Sequence, residues 1–204
     1  MVSAEISRSW LLVNGSHSEE FDAAAATKAD QIVLDIEDAV DPSQKSAARD
    51  EVAKWLETKQ AWVRINDRSS DFWSDDIDQL RDIPGLLGVM LAKTEDGSHV
   101  TETFDRLGGR TRVLALVESA LGIEEAREIA CARGAFRLAF GSGDYRRDTG
   151  TSVEDIAMAY PRSRLVVASR IGNIPGPIDG PTVGTSYGIL REKSEHAVAL
   201  GMTG

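Results

Sequence analysis

The sequence predicts a parallel α/β fold, a TIM-type (β/α)8 barrel of which seven strand–helix units are visible. Three observations carry that reading. Apolar runs alternate with helical patterns from end to end, at intervals of about 20 to 40 residues. The first run leads into Asn14-Gly-Ser-His-Ser18, which lacks the Gly-rich fingerprint of a dinucleotide-binding open sheet. Polar residues end almost every run: Asn14, Asp35, Glu37, Arg64, Lys93, Glu118, Asp144 and Asp179. An open sheet would spread them along an edge, whereas a barrel gathers them at one mouth.

The first strand is Trp10-Leu-Leu-Val13, and a helix is expected from Ser18 through Ala26, with Ser18 as N-cap. Gln31-Ile-Val-Leu34 is the second strand and enters Asp35-Ile-Glu-Asp38. Asp41-Pro-Ser43 opens a helix to about Leu56, with Ala47, Val52 and Trp55 on one face. Ala61-Trp-Val-Arg-Ile65 is the third strand, followed by a short helix over 72–80 and a stop at Pro84-Gly85. The fourth run spans 86–91, and a helix over 99–107 ends at Gly108-Gly109. Leu114 to Val117 is apolar enough for a strand buried on both faces, and a helix follows from Ser119 to about Ala132. Leu138-Ala-Phe140 leads through Gly-Ser-Gly to Asp144, read as a turn. The next helix is expected from Pro161 to Ile171, then a short strand at 176–179 and a last helix over 186–200.

The chain has 204 residues, enough for one domain over its whole length, and a net charge of −10. That charge argues against nucleic acid as a partner. No apolar stretch nears the roughly 20 residues that span a bilayer, and no signal-peptide pattern opens the chain. Cys131 is the sole cysteine, which excludes an intrachain disulfide and a cysteine-based metal site; a cytoplasmic location fits.

Glu118 and Asp144, at neighbouring strand ends, can share a hard divalent cation such as Mg²⁺, which favours one or two carboxylates plus water and substrate oxygens. The plainer reading makes Glu118 a helix cap and Asp144 a turn residue. Arg64 lies within an apolar strand and needs an anionic partner, either Asp35 or Glu37 in a structural pair or a substrate carboxylate. Asp35 and Glu37 share one side of an extended segment and, with Asp38, offer a general base, metal ligands or supporting acids. Lys93 and Glu95 alternate in the same way. Gly141-Ser-Gly143 can present backbone N–H groups to an anionic oxygen. His17, His99 and His196 lack metal-ligand spacing.

Taken together, the stretches 10–15, 32–40, 63–66, 91–95, 116–119, 140–144 and 178–180 resemble the citrate lyase β-subunit family of Mg²⁺-dependent aldolases and acyl-CoA lyases. The resemblance covers essentially the whole chain, and Leu34-Asp-Ile-Glu-Asp-Ala39 is its most specific block. It implies a TIM barrel assembled as a homo-oligomer, trimeric or hexameric. It implies Mg²⁺ on Glu118 and Asp144, with Arg64, Glu118, Gly143 and Asp144 binding substrate. The implied reaction cleaves a β-hydroxyacyl thioester, citryl- or malyl-type, carried on coenzyme A or an acyl-carrier protein, to a keto acid such as oxaloacetate. Asp35, Glu37 and Asp38 are the candidate proton acceptors. Asn14 and Ala92 stand where prolines are usual in the family. Family members also continue through an eighth strand and a C-terminal segment, so a barrel lacking both is expected over these residues. A non-catalytic keto-acid-binding or assembly subunit on the same barrel is the competing expectation.

Overall fold

The computed structural model describes residues 2–183 and 186–204. Six strands, β1 (Trp10–Asn14), β2 (Gln31–Asp35), β3 (Ala61–Ile65), β4 (Leu86–Leu91), β5 (Arg112–Val117) and β6 (Ala135–Phe140), form one sheet in sequential order. Every pairing is parallel. The expected seventh strand is reduced to a single parallel bridge from Ile178 to Ala139, where Ile178 exchanges backbone hydrogen bonds with Leu138 and Phe140.

Side-chain alternation divides the core in two. Ile32, Leu34, Val63, Ile65, Val89, Leu91, Val113, Ala115, Val117, Leu138 and Phe140 face the helices. Val33, Trp62, Met90, Leu114, Leu116, Ala139 and Ile178 face inward. The Trp62 ring lies 5.3 Å from that of Trp10 on β1 and 5.4 Å from that of Phe136 on β6. Strands β1, β3 and β6 meet there only because the sheet curls strongly, as a TIM-like fold requires. Gly88 on β4 leaves the space that Trp62 fills: an added Cβ would stand 2.3 Å from the indole.

Helices α1 (Phe21–Ala25), α2 (Lys45–Leu56), α3 (Trp73–Leu80), α4 (Gly97–Arg106), α5 (Ala120–Glu124), α6 (Ala126–Cys131), α7 (Ser142–Thr149), α8 (Asp155–Ile171) and α9 (Tyr187–Ala199) connect and follow the strands. Several boundaries differ from expectation. Residues Ser18–Glu20 form a 3₁₀ turn, α1 begins at Phe21, and the Ser18 side chain caps nothing. Asp41 caps the turn before α2 by accepting from the Ser43 N–H. The buried face of α2 carries Lys45, Ala48, Arg49, Val52, Ala53 and Leu56; Ala47 is exposed. Pro161 lies inside α8 rather than at its start, at a typical interior cost of about 3 kcal/mol. Burial of Met158, Leu165 and Ala168 on the same helix offsets that cost.

Beneath the sheet, at the N-terminal strand ends, the fully buried Arg137 guanidinium donates to the carbonyls of Gly176 (2.6 Å), Ser7 (2.9 Å) and Ala4 (3.3 Å). It also reaches Thr203 Oγ1 at 2.8 Å. Burial holds its pKa down, near 10. The outer edge of β1 takes no strand partner among the described residues, and Leu11 and Leu12 are exposed there. A cavity of about 1310 Å³ runs along that edge, between Leu12, Ile178 and the Leu190 and Val198 side chains of α9. Among the described residues no helix is long and apolar enough to cross a membrane.

Candidate active site

The C-terminal strand ends carry the charged side chains. Asp35 closes β2 and is paired in register with Arg64 on β3. Their contact is a two-point fork: Arg64 Nε donates to Asp35 Oδ1 at 2.7 Å and Nη2 to Oδ2 at 2.5 Å. Burial disfavours the Arg64 charge, but the Asp35 carboxylate overrides it and pushes the guanidinium pKa up. The structural pair weighed from the sequence is thus present, and the Nη1 edge remains, 3.4 Å from Glu37 Oε2.

Glu37 is 3% exposed. Its Oε1 accepts from Lys93 Nζ, and among the described residues its Oε2 has no hydrogen-bond partner. Burial raises its pKa, opposed by Lys93 and Arg64. Asp38 is half exposed and accepts from the same ammonium at 3.0 Å. Burial opposes the Asp38 charge, yet the neighbouring Glu37 carboxyl and the Lys93 ammonium together bring its pKa below the ordinary value.

Lys93 follows β4 with φ of 47°, a left-handed conformation that is uncommon without glycine. That turn aims the Lys93 N–H at Glu118 Oε1, 2.9 Å away. Glu118 directly follows β5 and is 4% exposed. Burial lifts its pKa to about 8, and the charges of Asp144 and Glu37 push the same way. Gly141, after β6, approaches so closely that an added Cβ would stand 2.2 Å from Glu118 Oε2. Glu118 does not cap the following helix; the Ser119 hydroxyl does, accepting from the Gly122 N–H at 3.1 Å.

Asp144 lies in the first turn of α7 and not in an open turn, as expected from Gly-Ser-Gly. The helix was missed, although its signals are present: an acid in the first turn, Arg146 and Arg147 in the last, and Gly150 closing it at φ of 70°. Asp144 accepts from the exposed Arg147. Gly143 is the second residue of α7, with open space where a side chain would project. Asp179 points to Arg162 of α8 at 2.9 Å, and Glu95 accepts from Ser119 Oγ at 2.5 Å. The three histidines stand apart from this cluster: His17 pairs with Glu20, and His99 and His196 lie on α4 and α9.

Among the described residues no three or more His, Cys, Asp or Glu side chains converge as a metal cage. Glu118 and Asp144 instead offer two carboxylates, one deeply buried and in no ion pair among the described residues. That donor set suits Mg²⁺, which keeps water and substrate oxygens in its remaining positions.

The HpcH/HpaI aldolase/citrate lyase family model matches residues 8–204. Citrate lyase subunit beta of Haemophilus influenzae is 32% identical over 188 residues, covering 83% of this chain and 64% of that protein. The L-malyl-CoA/beta-methylmalyl-CoA lyase of Cereibacter sphaeroides is 27% identical, over 98% of this chain and 74% of that protein. Among solved structures, the citrate lyase beta subunit from Mycobacterium tuberculosis complexed with oxaloacetate and magnesium superposes with a TM-score of 0.83 at 28% identity. The match covers 97% of this chain and 89% of that one. Another structure, of protein CitE from the same organism with magnesium, acetoacetate and coenzyme A, gives 0.84 at 28% identity, covering 98% of this chain and 75% of that one. The match spans 64% and 61% of the length of the first two curated relatives. By the match over 8–204, the chain belongs to the HpcH/HpaI aldolase/citrate lyase family.

Proposed function

We propose that these residues form the body of a Mg²⁺-dependent carbon–carbon lyase on a (β/α)8 barrel. Its substrate is a β-hydroxyacyl thioester of the citryl or malyl type, and its products are a keto acid and an acyl thioester. One observation carries this reading: Glu118, buried and in no ion pair among the described residues, feels the charge of Asp144 at the strand ends that also hold the Arg64 fork.

Retro-aldol cleavage removes the proton of the β-hydroxyl, breaks the bond between the carbinol carbon and the α-carbon, and leaves the electron pair as a thioester enolate. Protonation of that α-carbon completes the acyl thioester. The acid segment 35–38 supplies the proton acceptor. Asp35 is occupied by Arg64, whereas Glu37 keeps one unpartnered oxygen and is made more basic by burial. The Nη1 edge of Arg64, which faces Glu37 Oε2 at 3.4 Å and takes no part in the Asp35 fork, orients the keto-acid fragment. The N–H groups at the start of α7, around Gly143, receive its carboxylate. Glu118 and Asp144 would hold Mg²⁺, which when bound supplies Lewis-acid stabilisation of the oxygen that becomes the keto group.

The test is calorimetric titration of oxaloacetate into the protein, with Mg²⁺ and then with EDTA. Binding that requires Mg²⁺ and disappears in Glu118→Ala and Asp144→Ala supports the site. Equal binding in those variants overturns it. Cleavage of a malyl or citryl thioester in a second arm separates a lyase from a keto-acid-binding subunit.

A further inference from the structure

Behind the acid segment lies a buried polar cluster that takes no part in the chemistry above. Lys45, the first residue of α2, is 8% exposed. Its ammonium donates to the carbonyls of Ile36 at 3.1 Å and Glu37 at 2.9 Å, and among the described residues it makes no contact with a carboxylate. The Ile36 carbonyl also receives Asn66 Nδ2 at 3.2 Å. Asn66 is held in turn by Asp76 on α3, whose Oδ2 accepts its Nδ2 at 2.7 Å and its N–H at 3.0 Å. Asp76, fully buried, is closed off by Arg49 Nε at 2.7 Å.

Burying an ammonium to satisfy two carbonyls is an expensive way to finish a turn, since water does it without desolvating a charge. What the arrangement achieves is directional. Pulling both carbonyls of the 36–37 pair toward α2 leaves the Glu37 side chain on the opposite side, against Arg64 and Lys93. The turn is held besides by three backbone donors: the Glu37 N–H to Asp35 Oδ1 at 2.9 Å, the Val40 N–H to the Glu37 carbonyl at 3.1 Å and the Ile36 N–H to the Arg64 carbonyl at 3.0 Å. Of the side-chain donors to its two carbonyls, only Lys45 reaches both. We propose that Lys45, with Asp76 acting through Asn66, is a positioning residue that fixes the 36–37 backbone so that the Glu37 carboxylate stands at the mouth. This rests on the keto-acid reading of that mouth for its consequence, though not for its geometry.

The experiment compares Lys45→Met, which keeps the stem and removes the donors, with Lys45→Arg, which restores two donors, and with Asp76→Asn. The surface variant Lys59→Met is the control. Two quantities are read: backbone hydrogen exchange by residue, and the Kd for oxaloacetate in the presence of Mg²⁺. In Lys45→Met the amides of Glu37 and Val40 should exchange at least tenfold faster while those of β4 to β6 stay unchanged. The Kd should weaken about tenfold, and Lys45→Arg should recover at least half of each effect on a logarithmic scale. Asp76→Asn should show the same localised exchange, and it decides the matter if Lys45→Met does not fold. Exchange that rises uniformly over all strands without recovery by arginine would overturn the proposal, because that is the mark of a purely structural residue. Unchanged exchange at Glu37 and Val40 would overturn it as well. Wild-type protein that fails to bind oxaloacetate sinks the keto-acid reading alone, since the exchange arm still tests the positioning role.

Discussion

Replacing Gly141 with alanine challenges the site through one methyl group. The added Cβ would stand 2.4 Å from Glu118 Cβ and 2.2 Å from its Oε2. Contacts below 3.4 Å are already tight, so the two residues must part by about 1 Å. The carboxylate could swing away, but the Glu118 Cβ is fixed to the end of β5, which is hydrogen-bonded to β4 and β6 on its two sides. Overpacking of this kind costs about 1–3 kcal/mol. At about 2–4 °C per kcal/mol for a chain of this size, Tm should fall by roughly 2–12 °C. The functional effect should exceed the structural one, because a misplacement of about 1 Å in a catalytic constellation can cost about 100-fold. Thermal melting and oxaloacetate titration with Mg²⁺ measure the two parts. A Gly141→Ala protein with wild-type Tm and wild-type Mg²⁺-dependent binding would refute the claim that Gly141 sets the position of a metal-holding Glu118.

Asp35→Asn leaves the Arg64 guanidinium buried beside a neutral partner and should cost about 3–5 kcal/mol in urea denaturation. The double change Asp35→Leu with Arg64→Met should cost less than that single change, and additive values would count against a tightly coupled pair. Arg137→Met removes the donor from three buried carbonyls and should destabilise by about 2–4 kcal/mol, with faster proteolysis of residues 2–9 as the visible sign. In Mg²⁺-free buffer, Glu118 with its pKa raised to about 8 keeps its proton in the folded state after the unfolded chain has lost it. The native state then binds more protons, so stability should fall as pH rises from about 4.5 to 8 and level off above. Glu118→Gln should flatten that slope, and an unchanged slope would assign it to other groups.

The strands were legible because parallel strands buried on both faces read as continuous apolar runs, and β4 was bounded at the residue. Helix starts were less legible, since tertiary burial overrode local signals. Pro161 marks a start by its chemistry, yet α8 begins at Asp155 because Met158 also has a buried face to use. Asp144 was assigned to a turn because Gly141-Ser-Gly143 outweighed the end signals of α7. The acids and Arg64 stood out as charges within or just after apolar runs. Arg137 broke β6 in the same way and was passed over, lying at the opposite end of its strand from the chemistry. Lys45, Asn66 and Asp76 were invisible for a different reason. A lysine opening a helix, an asparagine after a strand and an aspartate in a helical first turn are each ordinary alone. Only the convergence of two helices and a strand makes them one cluster.

The charges at the mouth decide what else it must hold. Asp35, Glu37 and Asp38 are paired with Arg64 and Lys93. Glu118 and Asp144 are left over; among the described residues the one cation that touches Asp144 is the exposed Arg147. Burial is the first reason that the Glu118 pKa is raised, and the like charge of Asp144 adds a conflict to it. A proton relieves it by one charge and a divalent cation by two. The cation leaves both carboxylates available as ligands and keeps the acid segment free for proton transfer. The prediction that separates these two outcomes is a competition. Mg²⁺ binding should release close to one proton per site at pH 7, where Glu118 is still mostly protonated, and close to none at pH 9. Calorimetry in two buffers of different ionisation enthalpy counts those protons directly. Metal binding with no proton release at pH 7 would mean that Glu118 is already ionised, and that the cation is drawn by something other than the buried pair.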